Sequence, residues 1–139
     1  MGPRILAPEA LKAYRFQPSD HCRLAIVSDP ETTGTNLTLL LEIHDPSDRV
    51  PAHRHHHAVE LFFILRGQVV FHVENRSITA STGDSVMVPE GAVHDLENPG
   101  PGRTYMLSVL SRDDGFSKQL QACIPTPMDA EDLQVLRNL

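Results

Sequence analysis

Pro51-Ala52-His53-Arg54-His55-His56-His57-Ala58-Val59-Glu60 runs directly into Leu61-Phe62-Phe63-Ile64-Leu65, and Arg66-Gly67 closes the stretch. Glu60 to Leu65 has the length and the aromatic and branched content of a β-strand. Arg66-Gly67 then marks a tight turn, because glycine enters positive φ without a Cβ clash. Val69 to Val73 forms the returning strand of a hairpin. Outward from this hairpin, Leu24 to Val27, Leu37 to Ile43, a segment ending at His55, Arg76 to Thr79, Ser85 to Val88 and Thr104 to Leu110 are further short β-rich runs. Gly, Pro, Asn and Asp separate them. Helical periodicity is absent between Leu24 and Leu110, so the pattern predicts an all-β sandwich or barrel.

The end of the chain reads differently. Asp114 to Ala122 suits a short helix, and Pro125 prevents its continuation. A second helix is expected beyond that proline, with Thr126 as its cap, Pro127 at its first position and Asp129 at the positive end of the helix dipole. Leu133 and Leu136 share one face of that helix, so the tail is expected to pack on the barrel or on a partner subunit. A chain of 139 residues is the size of one domain. We expect a barrel core over about 22–112, an N-terminal arm over 1–21 and a helical tail over 113–139.

Hydrophobic residues make up 40% of the chain and charged ones 22%, which supports a buried core and excludes a wholly disordered chain. Eighteen acidic against twelve basic side chains leave a formal charge of −6, the wrong sign for a nucleic-acid backbone as main partner. No apolar run has the length of a bilayer span, and Ile5-Leu6-Ala7 before Pro8 is too short for a secretory core. The expectation is a cytoplasmic protein with no membrane partner. Cys22 and Cys123 read as two thiols of a reducing compartment, with a single bridge between them as the alternative.

Four imidazoles and a carboxylate within the ten positions 51–60 are the chemically informative feature. Imidazole and carboxylate are the ligands that borderline metals prefer. On an extended strand, residues two apart share a face, so His53 and His55 can aim both rings at one ion while Arg54 points away. The four residues between His55 and Glu60 leave room for a turn that returns the Glu60 carboxylate to the same centre. Downstream, Gly83-Asp-Ser-Val-Met-Val-Pro89-Glu-Gly91-Ala-Val-His94-Asp-Leu-Glu-Asn98 places one more histidine just past a Pro-x-Gly corner.

Taken together, the two stretches resemble the paired motifs of the cupin family. The first, G(x)5HxH(x)3–4E(x)6G, is met by His53, His55, Glu60 and Gly67, with Ser47 where the family has its opening glycine. The second, G(x)5PxG(x)2H(x)3N, is met by Gly83, Pro89, Gly91, His94 and Asn98. The resemblance implies a double-stranded β-helix of jelly-roll type, with a metal held by His53, His55, Glu60 and His94 inside the barrel near one mouth. It also implies a homodimer. The turn at Ser47 is expected to depart from the family's usual one.

One divalent transition metal ion, iron, manganese, nickel, copper or zinc, suits such ligands, and iron is slightly favoured because open positions on a His and carboxylate site suit oxygen chemistry. The leading expectation is an oxygenase-type enzyme acting on a small organic molecule, with Glu60 as a candidate proton shuttle. A non-catalytic sensor or binding module and a sugar isomerase are the alternatives. Phe62 and Ile64 share a face with Glu60, which would make the cavity beside the metal partly apolar, and simple filling of the barrel core is the stronger reading of both. His56 and His57 are expected in the turn between the ligand strands, with His57 within reach of the pocket. His72 alternates with inward residues and is expected to face outward. His21 and His44 have no assigned partner, and only two lysines, Lys12 and Lys118, are present, both outside the barrel strands, which disfavours Schiff-base chemistry.

Overall fold

The computed structural model describes residues 2–139. Two antiparallel sheets face one another across an apolar interior. The larger takes β1 (Lys12–Arg15), β2 (Arg23–Ser28), β3 (Thr38–His44), β5 (Glu60–Arg66), β8 (Ser85–Val88), β10 (Thr104–Leu110) and β11 (Ile124–Pro125), in the order β11-β1-β2-β3-β10-β5-β8. The smaller takes β4 (Arg49–His53), β6 (Gln68–Val73), β7 (Arg76–Ser81) and β9 (His94–Glu97), in the order β4-β9-β6-β7. Three short helices, α1 (Pro30–Thr33), α2 (Phe116–Gln121) and α3 (Ala130–Arg137), complete the chain. None is long and apolar enough to cross a membrane. This is the mainly antiparallel β architecture with a helical tail that the sequence predicts.

Alternation explains the interior. Along β5, Glu60, Phe62 and Ile64 are buried while Leu61 and Phe63 are exposed, and Val69 and Phe71 of β6 face them from the other sheet. The hairpin turn at Gly67 adopts φ +95°, and a Cβ there would come within 2.8–3.0 Å of Thr104 and the Arg103 carbonyl oxygen. Only glycine lets β10 lie this close to the turn. Ser47, at the place of the motif's opening glycine, also takes a left-handed backbone, φ 72°. A serine therefore adopts the conformation that glycine favours, and its N–H donates to the Asn98 carbonyl oxygen at 3.0 Å.

The ends depart from expectation in two ways. The larger sheet reaches beyond 22–112, because Tyr14 and Arg15 of β1 pair with Pro125 and Ile124 of β11. The last helix begins later than Pro127: Asp129 is its cap, its side chain accepting from the Asp132 N–H at 3.0 Å while the Asp132 carboxylate accepts from the Asp129 N–H at 3.1 Å. This reciprocal box satisfies the orphan N–H groups at the true start, where Thr126 cannot reach them. Val135 and Leu136 pack on Ala25, Leu41, Ile43 and Tyr105, and Leu133 is only half-buried. Both cysteines are free thiols, and burial pushes that of Cys22 up to about 12.

Asp132 fastens the helix to the barrel. It is fully buried, forms ion pairs with Arg23 at 2.7 Å and Arg103 at 3.0 Å, and accepts from the Tyr105 hydroxyl at 2.9 Å. Removing one partner of a buried pair leaves the other charge without compensation. Asp132→Ala is expected to cost roughly 3–5 kcal/mol in urea unfolding; a loss under about 1 kcal/mol would show that the tail is only loosely held.

Candidate metal centre

Strand pairing brings the two motifs together. β4 and β9 run antiparallel with His53 opposite His94, and the two rings lie 4.3 Å apart. Glu60 opens β5 with its carboxylate turned inward, accompanied by Phe62 and Ile64. His55 arrives by another route. The strand ends at His53, and His55 sits in the irregular connection before the turn at His56 and His57. What holds it is the Gly91 N–H, which donates to the His55 carbonyl oxygen at 2.9 Å, and Phe116 of α2, whose ring meets the His55 imidazole edge-on at 5.7 Å. Shared facing along one strand is thus not the reason that His53 and His55 approach each other. One ligand atom from each of His53, His55, Glu60 and His94 lies within 4.8 Å of all the others.

A layer of hydrogen bonds orients these side chains. His53 Nδ1 donates to the Pro51 carbonyl oxygen at 2.8 Å, and His94 Nδ1 donates to that of Ala92 at 2.9 Å. Each bond fixes the ring and its tautomer and turns Nε2 toward the centre. Ser108 of β10 donates to Glu60 Oε2 at 2.6 Å, while Oε1 stands 3.0 Å from His94 Nε2 and 3.4 Å from His55 Nε2.

Burial opposes ionisation of Glu60, but hydrogen bonds from His55, His94 and Ser108 outweigh it and hold the carboxyl well below its usual range. Burial likewise disfavours a charged ring at His94, yet its bond to Glu60 and the nearby carboxylate charge raise its pKa. At His53, burial is the stronger effect and lowers the pKa, with the neighbouring His94 acting in the same direction. The result is an ionised oxygen donor with imidazoles around it, as a divalent cation requires.

The centre lies at the wall of a cavity of about 440 Å³. Phe62 lines it, together with Leu24, Leu40 and Leu96, and Phe16 and Phe116 face each other edge-on at 6.3 Å among its lining residues. Ile64 instead packs in the core among Phe62, Val69 and Met106. His57 is outside the lining, exposed, and 4.0 Å from Glu90, because the turn carries it away from the barrel. His72 stands on the outer face of β6, between Asp95 and Glu97 at 3.9 and 3.7 Å.

Glu42 is a cavity residue that the sequence motifs do not mark. It is buried, lines the cavity, and accepts from His44 Nε2 at 3.1 Å, which also supplies the partner of His44. A signal is present, for Glu42 is a single acid inside the run Leu39-Leu40-Leu41-Glu42-Ile43, in phase with Leu40. Nothing local marks Phe16, Phe116 or Ser108, whose positions depend on distant pairings.

Comparison with known proteins agrees with this architecture. Over 65 residues, 47% of this chain, the sequence is 31% identical to an oxalate-binding protein of Thermotoga maritima, of which the match spans 54%. The crystal structure of a predicted oxalate decarboxylase from the same organism superposes with a TM-score of 0.70 at 20% identity, covering 77% of this chain and 97% of that one. An RmlC-like cupin from Shewanella frigidimarina superposes with a TM-score of 0.67 at 14% identity, covering 83% of this chain and 96% of that one. The family model of the cupin domain matches residues 40–110, which hold all four converging side chains and both motifs. On that match, and on the jelly roll that presents those side chains, the chain belongs to the cupin family.

Proposed function

We propose that this cupin is a metal-dependent protein acting on a small organic molecule, with His53, His55, Glu60 and His94 as ligands of one divalent transition metal ion and an oxygenase-type reaction as its activity. The observation that carries this reading is the convergence of three imidazoles and one ionised carboxylate, of which His53, His55 and Glu60 line the cavity and His94 is buried behind them. The donor set fits such an ion: Nδ1 of His53 and of His94 is occupied by a carbonyl oxygen, so Nε2 is the ligating atom in both. Iron(II) is the favoured metal, with manganese, nickel, copper and zinc suited to the same donors. When bound, the ion supplies Lewis acidity and, where redox-active, a route for electrons to dioxygen.

The protein's own part is to place and shield. The phenylalanines and leucines of the cavity exclude water and so strengthen every charge interaction near the ligands. Ser108 keeps Glu60 from rotating away, and a proton taken up at Glu60 Oε2 would have the Ser108 hydroxyl as its nearest partner. A binding module without turnover is the second reading, supported by the oxalate-binding relative. Oxygen uptake with candidate phenolic or thiol substrates separates the two. Product formation supports the enzyme, and a raised melting temperature with no product supports the binding module.

Leu61, Phe63 and Met87 are 48, 44 and 58% exposed on β5 and the edge strand β8. We assign the homodimer contact to this face, and the two free thiols support a reducing, cytoplasmic setting.

Three outcomes test this reading. Purified protein is expected to carry about one equivalent of transition metal, with affinity falling at least about 100-fold in His94→Ala by chelator competition. Metal ligation needs a neutral imidazole, and the His94 pKa is raised, so affinity should climb as pH rises through and above 6.5, by up to about tenfold per unit. A flat profile between about pH 6 and 8 would contradict the role of His94. Phe63→Lys should shift the sedimentation of the protein from dimer to monomer while leaving metal content unchanged.

A further inference from the structure

Glu42 stands apart from the other buried carboxylates of this protein. Asp132 is neutralised by two arginines, Glu60 lies among the imidazoles, and Asp29 and Asp113 each accept hydrogen bonds at both carboxylate oxygens. Glu42, 5% exposed, has only His44, whose Nε2 donates to Oε1 at 3.1 Å. Its other oxygen makes no hydrogen bond among the described residues, and the side chain lines the cavity that holds the metal ligands. His44 is itself 1% exposed and pinned through its carbonyl oxygen, which accepts from Asn98 Nδ2 at 3.0 Å. Its Nδ1 has no partner among the described residues. A buried acid with one fixed oxygen and one free oxygen toward a cavity lacks a donor that a ligand can supply.

The charge balance of the cavity points the same way. A divalent ion with Glu60 leaves about one positive charge, and the Glu42 carboxylate brings the interior to about zero. Among the described residues Arg54 is the one arginine or lysine in the lining, and its side chain is exposed. A dianion such as oxalate would add two negative charges beside Glu42 with no buried cation in the lining beyond the metal ion itself, whose charge Glu60 and Glu42 already balance, at a cost set by low-dielectric burial. An apolar body fits between Leu24, Leu40, Phe62 and Leu96.

We propose that Glu42, positioned by His44, is the specificity-determining residue of this cavity, and that it selects an apolar, ring-sized ligand carrying a hydroxyl or ammonium donor away from its metal-binding end, against small dicarboxylates. This rests on the metal-centre reading above. In this assignment Glu42 receives the donor of the bound molecule and thereby sets which end of that molecule faces the metal.

The experiment uses intact protein loaded with zinc(II) and four probes in calorimetric titration: benzohydroxamate, its meta and para aminomethyl derivatives, and oxalate. Unsubstituted benzohydroxamate reports the metal site alone. At least one aminomethyl derivative is expected to bind about tenfold or more tighter than the parent, and oxalate more weakly than that derivative. In Glu42→Gln the gain, read as the ratio of each derivative's affinity to that of the parent probe in the same variant, should fall to about twofold or less. Parent binding without any gain from the aminomethyl group in the unaltered protein overturns the role of Glu42 while leaving the metal centre standing, and it needs no variant to fold. A gain that persists in Glu42→Gln, or oxalate binding tighter than every aminomethyl probe, overturns it equally. Failure to take up zinc or to bind the parent removes the metal-centre reading, and the role of Glu42 with it.

Discussion

The register between β4 and β9 is the constraint on which the site depends. Antiparallel pairing sets His53 directly across from His94, so residues 41 positions apart in the chain become neighbours. A slip of one residue would send His94 to the outer surface and turn Asp95 inward, because successive side chains on a strand alternate between faces. An irregularity between Val50 and His53 lets β4 reach this pairing while Arg49 still faces Glu97. Leu96, buried on the same face as His94, adds an apolar reason for the register.

Given that pairing, electrostatics explains why the site holds its shape. A carboxylate as buried as Glu60 needs partners for both oxygens, and it finds imidazoles on one side and Ser108 on the other. The same requirement, met differently, fixes the far end of the molecule, where Asp132 gathers Arg23, Arg103 and Tyr105. Glu60 secures three strands and a connection around a ligand cavity, whereas Asp132 secures a helix against the outside of the larger sheet. In each case a single buried acid gathers partners from several elements, and at Asp132 it acts beside the apolar contact of Val135 and Leu136 with the larger sheet.

Much of this is legible in the residues. The turn glycines and the short β runs are local signals and predict an all-β sandwich or barrel, and the spacing of His53, His55, Glu60 and His94 carries the family resemblance that implies the jelly roll. Gly67 is legible as a tight turn because glycine enters positive φ freely, whereas the close approach of Thr104 to it shows only in the structure. The features that escape the sequence depend on distant partners. β11 is two residues long and exists because β1 is beside it, and β9, with its charged alternation His94-Asp95-Leu96-Glu97, reads as a loop until β4 and β6 flank it. Thr126 and Pro127 are good local signals for an early helix start, but the reciprocal bonds of Asp129 and Asp132 outweigh them. Periodicity puts His55 on a strand, but the Gly91 N–H captures its carbonyl oxygen instead.

Phe16, Gln17, Asp20, Phe116 and Gln119 contribute to the cavity lining from outside residues 40–110, whereas the four converging side chains all lie within that span. Part of the cavity wall is thus written outside the span that carries the converging side chains. Evolution can redraw that part of the wall by altering the segment after β1 or the helix after β10 without touching the four converging side chains. A common inner chamber can in this way come to serve guests of unlike shape in proteins whose middles still align.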